Sequence, residues 1–175
     1  LWGRMDLLEN MRSIQSGGST VENSHYEGMT WAKPPARFEG GLGNYAGILG
    51  TYAAIDYISA IDLNSIHEHE ISLNKIMTSI IKDQAGMEII GPADASKRGG
   101  ICSVLLENID AHDIAILLDE AAGVMVRSGM HCVHSWFNDR GLDRGSIRAS
   151  AYLYNTEEEV RLFADTLVEA VQALG

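Results

Sequence analysis

Ile101-Cys102-Ser103-Val104-Leu105-Leu106, then Asp110, then Ala111-His112-Asp113-Ile114-Ala115-Ile116-Leu117-Leu118-Asp119-Glu120-Ala121-Ala122-Gly123, is the stretch that decides the fold. The opening residues read as an apolar strand. Asp110 is a helix N-cap, because a short carboxylate there accepts a backbone N–H that the first turn leaves free. Gly123 stops the helix, since it adopts the left-handed conformation that closes a helix C-terminus without a Cβ penalty. A strand followed by a helix therefore sits at the centre of the chain.

The same logic runs outward in both directions. Upstream, Lys97-Arg98-Gly99-Gly100 is a turn, and Met87-Glu88-Ile89-Ile90 is a short strand closed by Gly91-Pro92. Before it a helix runs from about Asn64 to Gln84, with Ile66, Ile71, Leu73, Ile76, Met77 and Ile80 as its inner side and Gly86 at its end. Downstream, Val124 to Arg127 and Ser146 to Tyr152 read as strands joined by an irregular loop from Ser128 to Gly145. Thr156 and Glu159 form a capping box for a last helix striped by Val160, Phe163, Ala164, Leu167, Val168 and Val171. The expectation is α+β, a small sheet with helices packed on it as an α/β sandwich.

The N-terminal part is of another kind. Arg4 to Met11 reads as a short helix, Ser13 to Tyr26 as irregular, and Lys33-Pro34-Pro35 as extended backbone. Residues 1–43 are accordingly expected to be an arm that lies on something else. From Tyr45 to Ile61 a helix is apolar nearly all round, with Thr51, Asp56 and Ser59 left to face water. Such a helix is expected at an interface. The layout expected is thus an arm and loop segment at 1–43, a connecting helix at 44–62 and a small α/β domain at 63–175.

The chain has 175 residues, and 13 basic against 24 acidic side chains give a net charge of −11. That charge argues against nucleic acid, whose phosphates need a cationic face. No apolar run is long enough to cross a bilayer and no leader opens the sequence, so no membrane partner is expected and the location is read as cytoplasmic. Leu1 stands where an initiator Met is normally found, which raises the expectation that something precedes it.

Two cysteines, Cys102 and Cys132, are too few for a disulfide framework. Cys102 lies in the apolar strand and reads as a small core hydrophobe. Cys132 lies in Arg127-Ser128-Gly129-Met130-His131-Cys132-Val133-His134, a glycine-containing loop with two imidazoles and a guanidinium. That setting favours the thiolate and hence a nucleophile, against the alternative of an ordinary surface thiol. The other histidines supply no second cluster with ligand spacing, so no metal is expected. Gly41-Leu42-Gly43-Asn44-Tyr45-Ala46-Gly47 leads into the apolar helix without a preceding strand, which rules out a dinucleotide fingerprint. It reads equally well as an anion site at a helix N-terminus or as glycines that allow close packing. Arg148, in Ser146-Ile147-Arg148-Ala149-Ser150, points away from the core by strand alternation. It is either a solvated or salt-bridged arginine or a bidentate partner for a substrate carboxylate.

Taken together, Thr30-Trp31-Ala32-Lys33-Pro34-Pro35-Ala36-Arg37-Phe38-Glu39, the run from Arg127 to Cys132, and Arg148-Ala149-Ser150 followed by Tyr154-Asn155-Thr156 resemble the C-terminal portion of the pyridoxal phosphate dependent cysteine desulfurases and selenocysteine lyases, of the class V aminotransferase family. The resemblance implies the small domain of a fold type I transferase, with its interdomain helix and N-terminal arm. It implies that Cys132 takes sulfur from L-cysteine as a persulfide, leaving L-alanine, for delivery to a sulfur-acceptor protein, as in iron–sulfur cluster assembly. It implies that Arg148 holds the substrate carboxylate, with Arg127 at the pocket mouth and His131 also on the substrate side. Asn44 and Tyr45 would reach the cofactor phosphate of a partner in a homodimer. The lysine that anchors pyridoxal 5′-phosphate has no match among Lys33, Lys75, Lys82 and Lys97, so the resemblance also implies a large cofactor-binding domain upstream, without which this chain is inactive. Two alternatives stand beside it: a non-catalytic binding or scaffold module of the same fold, and a class V aminotransferase or lyase with another amino-acid substrate.

Overall fold

The computed structural model describes residues 2–174, which form two compact units, the first up to Tyr57 and the second from Ile58. In the first, α1 (Met5–Asn10) is followed by the antiparallel hairpin β1 (Val21–His25) and β2 (Gly28–Trp31), a single 3-10 turn at Ala36–Phe38, and most of α2 (Tyr45–Ile61), whose last turn from Ile58 belongs to the second. The hairpin corrects the expectation of irregular chain over Ser13 to Tyr26. Nearly all of its side chains on both faces are exposed, so no apolar alternation marks it, and backbone pairing alone makes the ribbon. Its base is tied by the fully buried Thr20, whose Oγ1 accepts from the Gly17 N–H at 2.9 Å and donates to the Gly17 carbonyl at 2.8 Å.

Helix α2 has the bounds that its sequence predicts, yet none of its residues is buried, and Ile48, Leu49, Tyr52 and Ile55 stand exposed. Its apolar side chains are left uncovered within this chain. Asn44 begins it, with Oδ1 accepting the Gly47 N–H at 3.0 Å.

The second unit holds α3 (Leu63–Ile81), β3 (Met87–Ile89), β4 (Ile101–Leu106), α4 (Ala111–Ala122), β5 (Arg127–Gly129), α5 (His134–Asn138), β6 (Ser146–Ser150) and α6 (Glu157–Leu174). The four strands lie in the order β3-β4-β6-β5, every neighbouring pair antiparallel. One face is core. Leu73 and Met77 of α3, Ile114 and Leu118 of α4 and Ala164 and Leu167 of α6 pack there with Cys102, Val104 and Ile147 of the sheet, all essentially inaccessible. This is the α+β sandwich that the sequence predicts.

Two local expectations change. The strand read at Val124 to Arg127 begins only at Arg127, because Gly123 at φ 64° turns the chain and the Val124 N–H is spent on the Leu118 carbonyl in closing α4. Val124 and Val126 still pack against the core, which is why they look like strand. The loop read over Ser128 to Gly145 contains the end of β5 and the short helix α5. On α3, the inner side includes the polar Asn74 and Thr78, fully and nearly buried, as well as Ile66, Leu73, Met77 and Ile81. Asn74 Nδ2 donates to the carbonyls of Gly99 and Ile101, so a polar side chain fixes the turn that feeds β4. The capping box is present in both directions: the Glu159 N–H donates to Thr156 Oγ1 at 3.2 Å and the Thr156 N–H to Glu159 Oε2 at 2.9 Å.

Candidate active site

Because Ile147 of β6 is buried in the core, Arg148 belongs to the opposite face of the sheet. Register places it beside Ser103 of β4 on one side and Arg127 of β5 on the other. On this face Ile90, Ile101, Ser103, His131, Val133, Trp136, Phe137 and Arg148 line a groove of about 400 Å³. Phe137 is almost completely buried and Trp136 meets it edge-on at 5.0 Å, so α5 forms a wall of the groove.

The chain leaves β5 through backbone that side chains rarely adopt. Gly129 has φ 102°, and His131 and Cys132 stand consecutively in the left-handed region at φ 49° and 63°. Non-glycine residues there cost about 1–3 kcal/mol each unless their surroundings compensate. The surroundings are tight: a Cβ on Gly145 would lie 2.6 Å from the Gly129 backbone, so the start of β6 touches the root of this loop. His131 Nε2 lies 2.8 Å from Oγ of the fully buried Ser146. The result is an exposed Cys132 on a constrained turn, with Arg127 Nη2 at 4.0 Å from its Sγ.

Electrostatics single out the two arginines. Among the described residues, neither Arg127 nor Arg148 has a carboxylate within ion-pair distance, and the buried Nε of Arg148 has no hydrogen-bond partner. Burial holds the His131 pKa below its ordinary value, and the positive charge of Arg148 and then of Arg127 pushes the same way, while its hydrogen bonding to Ser146 opposes them. The bias at His131 is thus toward the uncharged imidazole, and the fixed positive charges on this face are the Arg127 and Arg148 guanidinium groups. By contrast, the thiol of Cys102 is pushed up to about 11 by burial, against the Arg98 guanidinium, and is an inert core group.

The structure thus brings Arg127, His131, Cys132 and Arg148 to one side of the second unit's sheet. Asn44 and Tyr45 belong to the first unit, where the Tyr45 side chain is exposed at the start of α2 and the Asn44 Oδ1 is committed to the helix. Asn44 Nδ2 and the Tyr45 hydroxyl remain as donors there, the type of group that a phosphate accepts from. All of the lysines, Lys33, Lys75, Lys82 and Lys97, are exposed, and none lines the groove. Sequence reading missed Ser103, Ser146, Trp136 and Phe137. Ser146 carried a signal, since it is two residues from Arg148 on the same strand; α5 is too short to show a helical period.

Over residues 1–163 the chain matches the Aminotransferase class-V family. It is 35% identical over 175 residues to a protein of Xylella fastidiosa named probable cysteine desulfurase, covering all of this chain and 41% of that one. It is also 35% identical to a probable cysteine desulfurase of Methanothermobacter thermautotrophicus, covering 97% of this chain and 42% of the relative. The chain therefore spans about two-fifths of the length of these relatives. Among solved structures, the apo cysteine desulfurase of Thermococcus onnurineus NA1 superposes with a TM-score of 0.87 at 33% identity, over 97% of this chain and 42% of that one. A cysteine desulfurase of Escherichia coli in its S-sulfonic acid form gives 0.82 at 27% identity, over 98% and 41%.

Proposed function

The chain belongs to the aminotransferase class-V family, and from that premise we propose that it is the C-terminal part of a pyridoxal phosphate dependent cysteine desulfurase, in which Cys132 accepts the sulfur of L-cysteine. The observation that carries this reading is the pair of arginines without carboxylate partners, Arg127 and Arg148, beside an exposed thiol held on a strained turn. A carboxylate and a sulfur atom are the two groups that such a site is built to receive.

When bound, pyridoxal phosphate supplies the electron sink that lets the Cβ–Sγ bond of the substrate break. This chain's residues bind, orient and accept. The Arg148 guanidinium takes the substrate carboxylate in a charge-assisted pair, its free Nε being a donor already desolvated and waiting for an acceptor. Arg127 adds positive charge on the adjacent strand, and its Nη2 lies 4.0 Å from the Cys132 sulfur. His131 lines the same groove as Arg148, on the substrate side. Cys132 Sγ forms the new S–S bond as the substrate's C–S bond breaks, and a proton delivered to carbon completes alanine. Asn44 Nδ2 and the Tyr45 hydroxyl would hold the cofactor phosphate, and the anchoring lysine comes from a larger domain preceding this chain.

The same reading takes residues 1–43 as an arm on that domain, 44–62 as the connecting helix and 63–175 as the small domain. It places the assembled enzyme in the cytoplasm as a homodimer, to which the exposed apolar side chains of α2 lend support, and gives its sulfur to an acceptor protein for iron–sulfur cluster or related biosynthesis. The test is to join the chain to its lysine-bearing partner domain and measure alanine formed from cysteine and, with a thiol reductant present to reduce the Cys132 persulfide, the sulfide released. Cys132→Ala is expected to abolish sulfur transfer, and full activity in that variant would overturn the assignment.

A further inference from the structure

The two left-handed residues before α5 need something to hold them: the Val133 N–H donates to the Met130 carbonyl at 2.9 Å across the turn, and the side-chain fastening to the sheet is the contact between His131 and Ser146. Nε2 of the imidazole lies 2.8 Å from the Ser146 hydroxyl oxygen, while Nδ1 is buried and has no partner. A buried N–H without an acceptor is the rarer and costlier orphan, and a buried lone pair without a donor the more tolerable one. The ring proton therefore belongs on Nε2. Ser146 is fully buried at the first position of β6, directly after the close approach of Gly145 to Gly129, so its hydroxyl is fixed by the sheet and cannot follow the loop.

We propose that Ser146 is a positioning residue: its hydroxyl accepts Nε2–H of His131, fixes that imidazole as the neutral Nε2–H tautomer, and so latches the strained His131-Cys132 turn that carries the exposed Cys132 thiol beside Arg127. The catalytic side of this inference rests on the desulfurase reading; the latch itself does not. The charged and titratable groups facing the imidazole are Arg148 from β6, Arg127 from β5 and the Cys132 thiol from its own loop. Both arginines disfavour a second ring proton, which is consistent with a latch that works with one.

The first arm of the test uses this 175-residue chain and needs no cofactor. Long-range proton–nitrogen NMR spectra of the His131 ring are expected to show the Nε2–H tautomer at pH 7. Ser146→Ala should shift those resonances, raise the exchange broadening of the Cys132 amide and be reversed by Ser146→Thr, which restores a hydroxyl. An Nδ1–H tautomer, or ring and Cys132 signals unmoved in Ser146→Ala, would overturn the latch. The second arm uses the chain joined to its lysine-bearing domain: Ser146→Ala should lower kcat for sulfur release about tenfold, with KM for cysteine changed by less than about twofold, because misplacing a reacting atom costs rate more than binding. Equal kcat in Ser146→Ala and wild type would overturn the positioning role. If the joined wild-type protein releases no sulfur, the desulfurase reading fails while the NMR arm still decides the latch.

Discussion

Arg127 and Arg148 stand directly opposite each other across the β5–β6 ladder, with no carboxylate within ion-pair distance of either among the described residues. Like charges at opposed sheet positions repel, and Arg148 is partly buried, so the arrangement is unfavourable until an anion joins it. In a chain with a net charge of −11 acidic side chains are plentiful, yet among the described residues none forms an ion pair with either guanidinium; Glu88, on the same face, lies on β3, two strands away from Arg148. On the proposed reading, that repulsion is a cost that a bound substrate carboxylate would relieve.

Arg148 should therefore act on substrate affinity. In the joined protein, Arg148→Lys keeps the charge but loses the planar fork, and KM for cysteine is expected to rise by about 10-fold; Arg148→Ala should raise it by about 100-fold, the scale of a lost charge-assisted bidentate pair. Steady-state kinetics checks both. An unchanged KM in Arg148→Ala would remove Arg148 from the binding site.

The lowered pKa of His131 has a consequence for stability. A histidine whose folded-state pKa lies below its unfolded value, about 6.5, favours folding fully above that value, and the contribution is lost as pH falls through the folded pKa. Urea denaturation at pH 7 and pH 5 should show a loss of stability on acidification that is smaller in His131→Gln. Equal losses in the two proteins would contradict a half-buried imidazole that its surroundings hold toward the neutral form.

Gly145 is where the sheet and the cysteine loop meet. A methyl group there lies 2.6 Å from the Gly129 backbone, and φ 69° is itself unfavourable for a side chain. Gly145→Ala is expected to lose about 3 kcal/mol of stability, read from the denaturation midpoint, and to loosen Cys132.

The two thiols should separate cleanly. With Cys102 inaccessible and its thiol pushed up to about 11, iodoacetamide at pH 7 should modify native protein at Cys132 alone, and Cys102 should react only after unfolding. Peptide mass spectrometry checks the site. Cys102→Ala is expected to keep sulfur transfer while losing about 1–2 kcal/mol of core packing.

Much of this molecule could be read from the order of its residues. Asp110 and Gly123 bound α4, Thr156 and Glu159 cap α6, and Ile101 to Leu106 is β4, each at the residues that local chemistry indicates. Local rules suffice there, since a cap or a stop acts on atoms within one helical turn. The site residues were legible singly, because Cys132, Arg127 and His131 are close in sequence and Arg148 alternates out of the core. What only tertiary structure decided is their relation. The opposition of Arg127 and Arg148, the contact of His131 with Ser146, and the groove walled by α5 all join segments separated in the chain, and register between strands is set by packing of the whole sheet rather than by any one strand. The hairpin β1–β2 shows the converse limit: with almost every side chain in water, its pairing is carried by backbone groups that every sequence possesses.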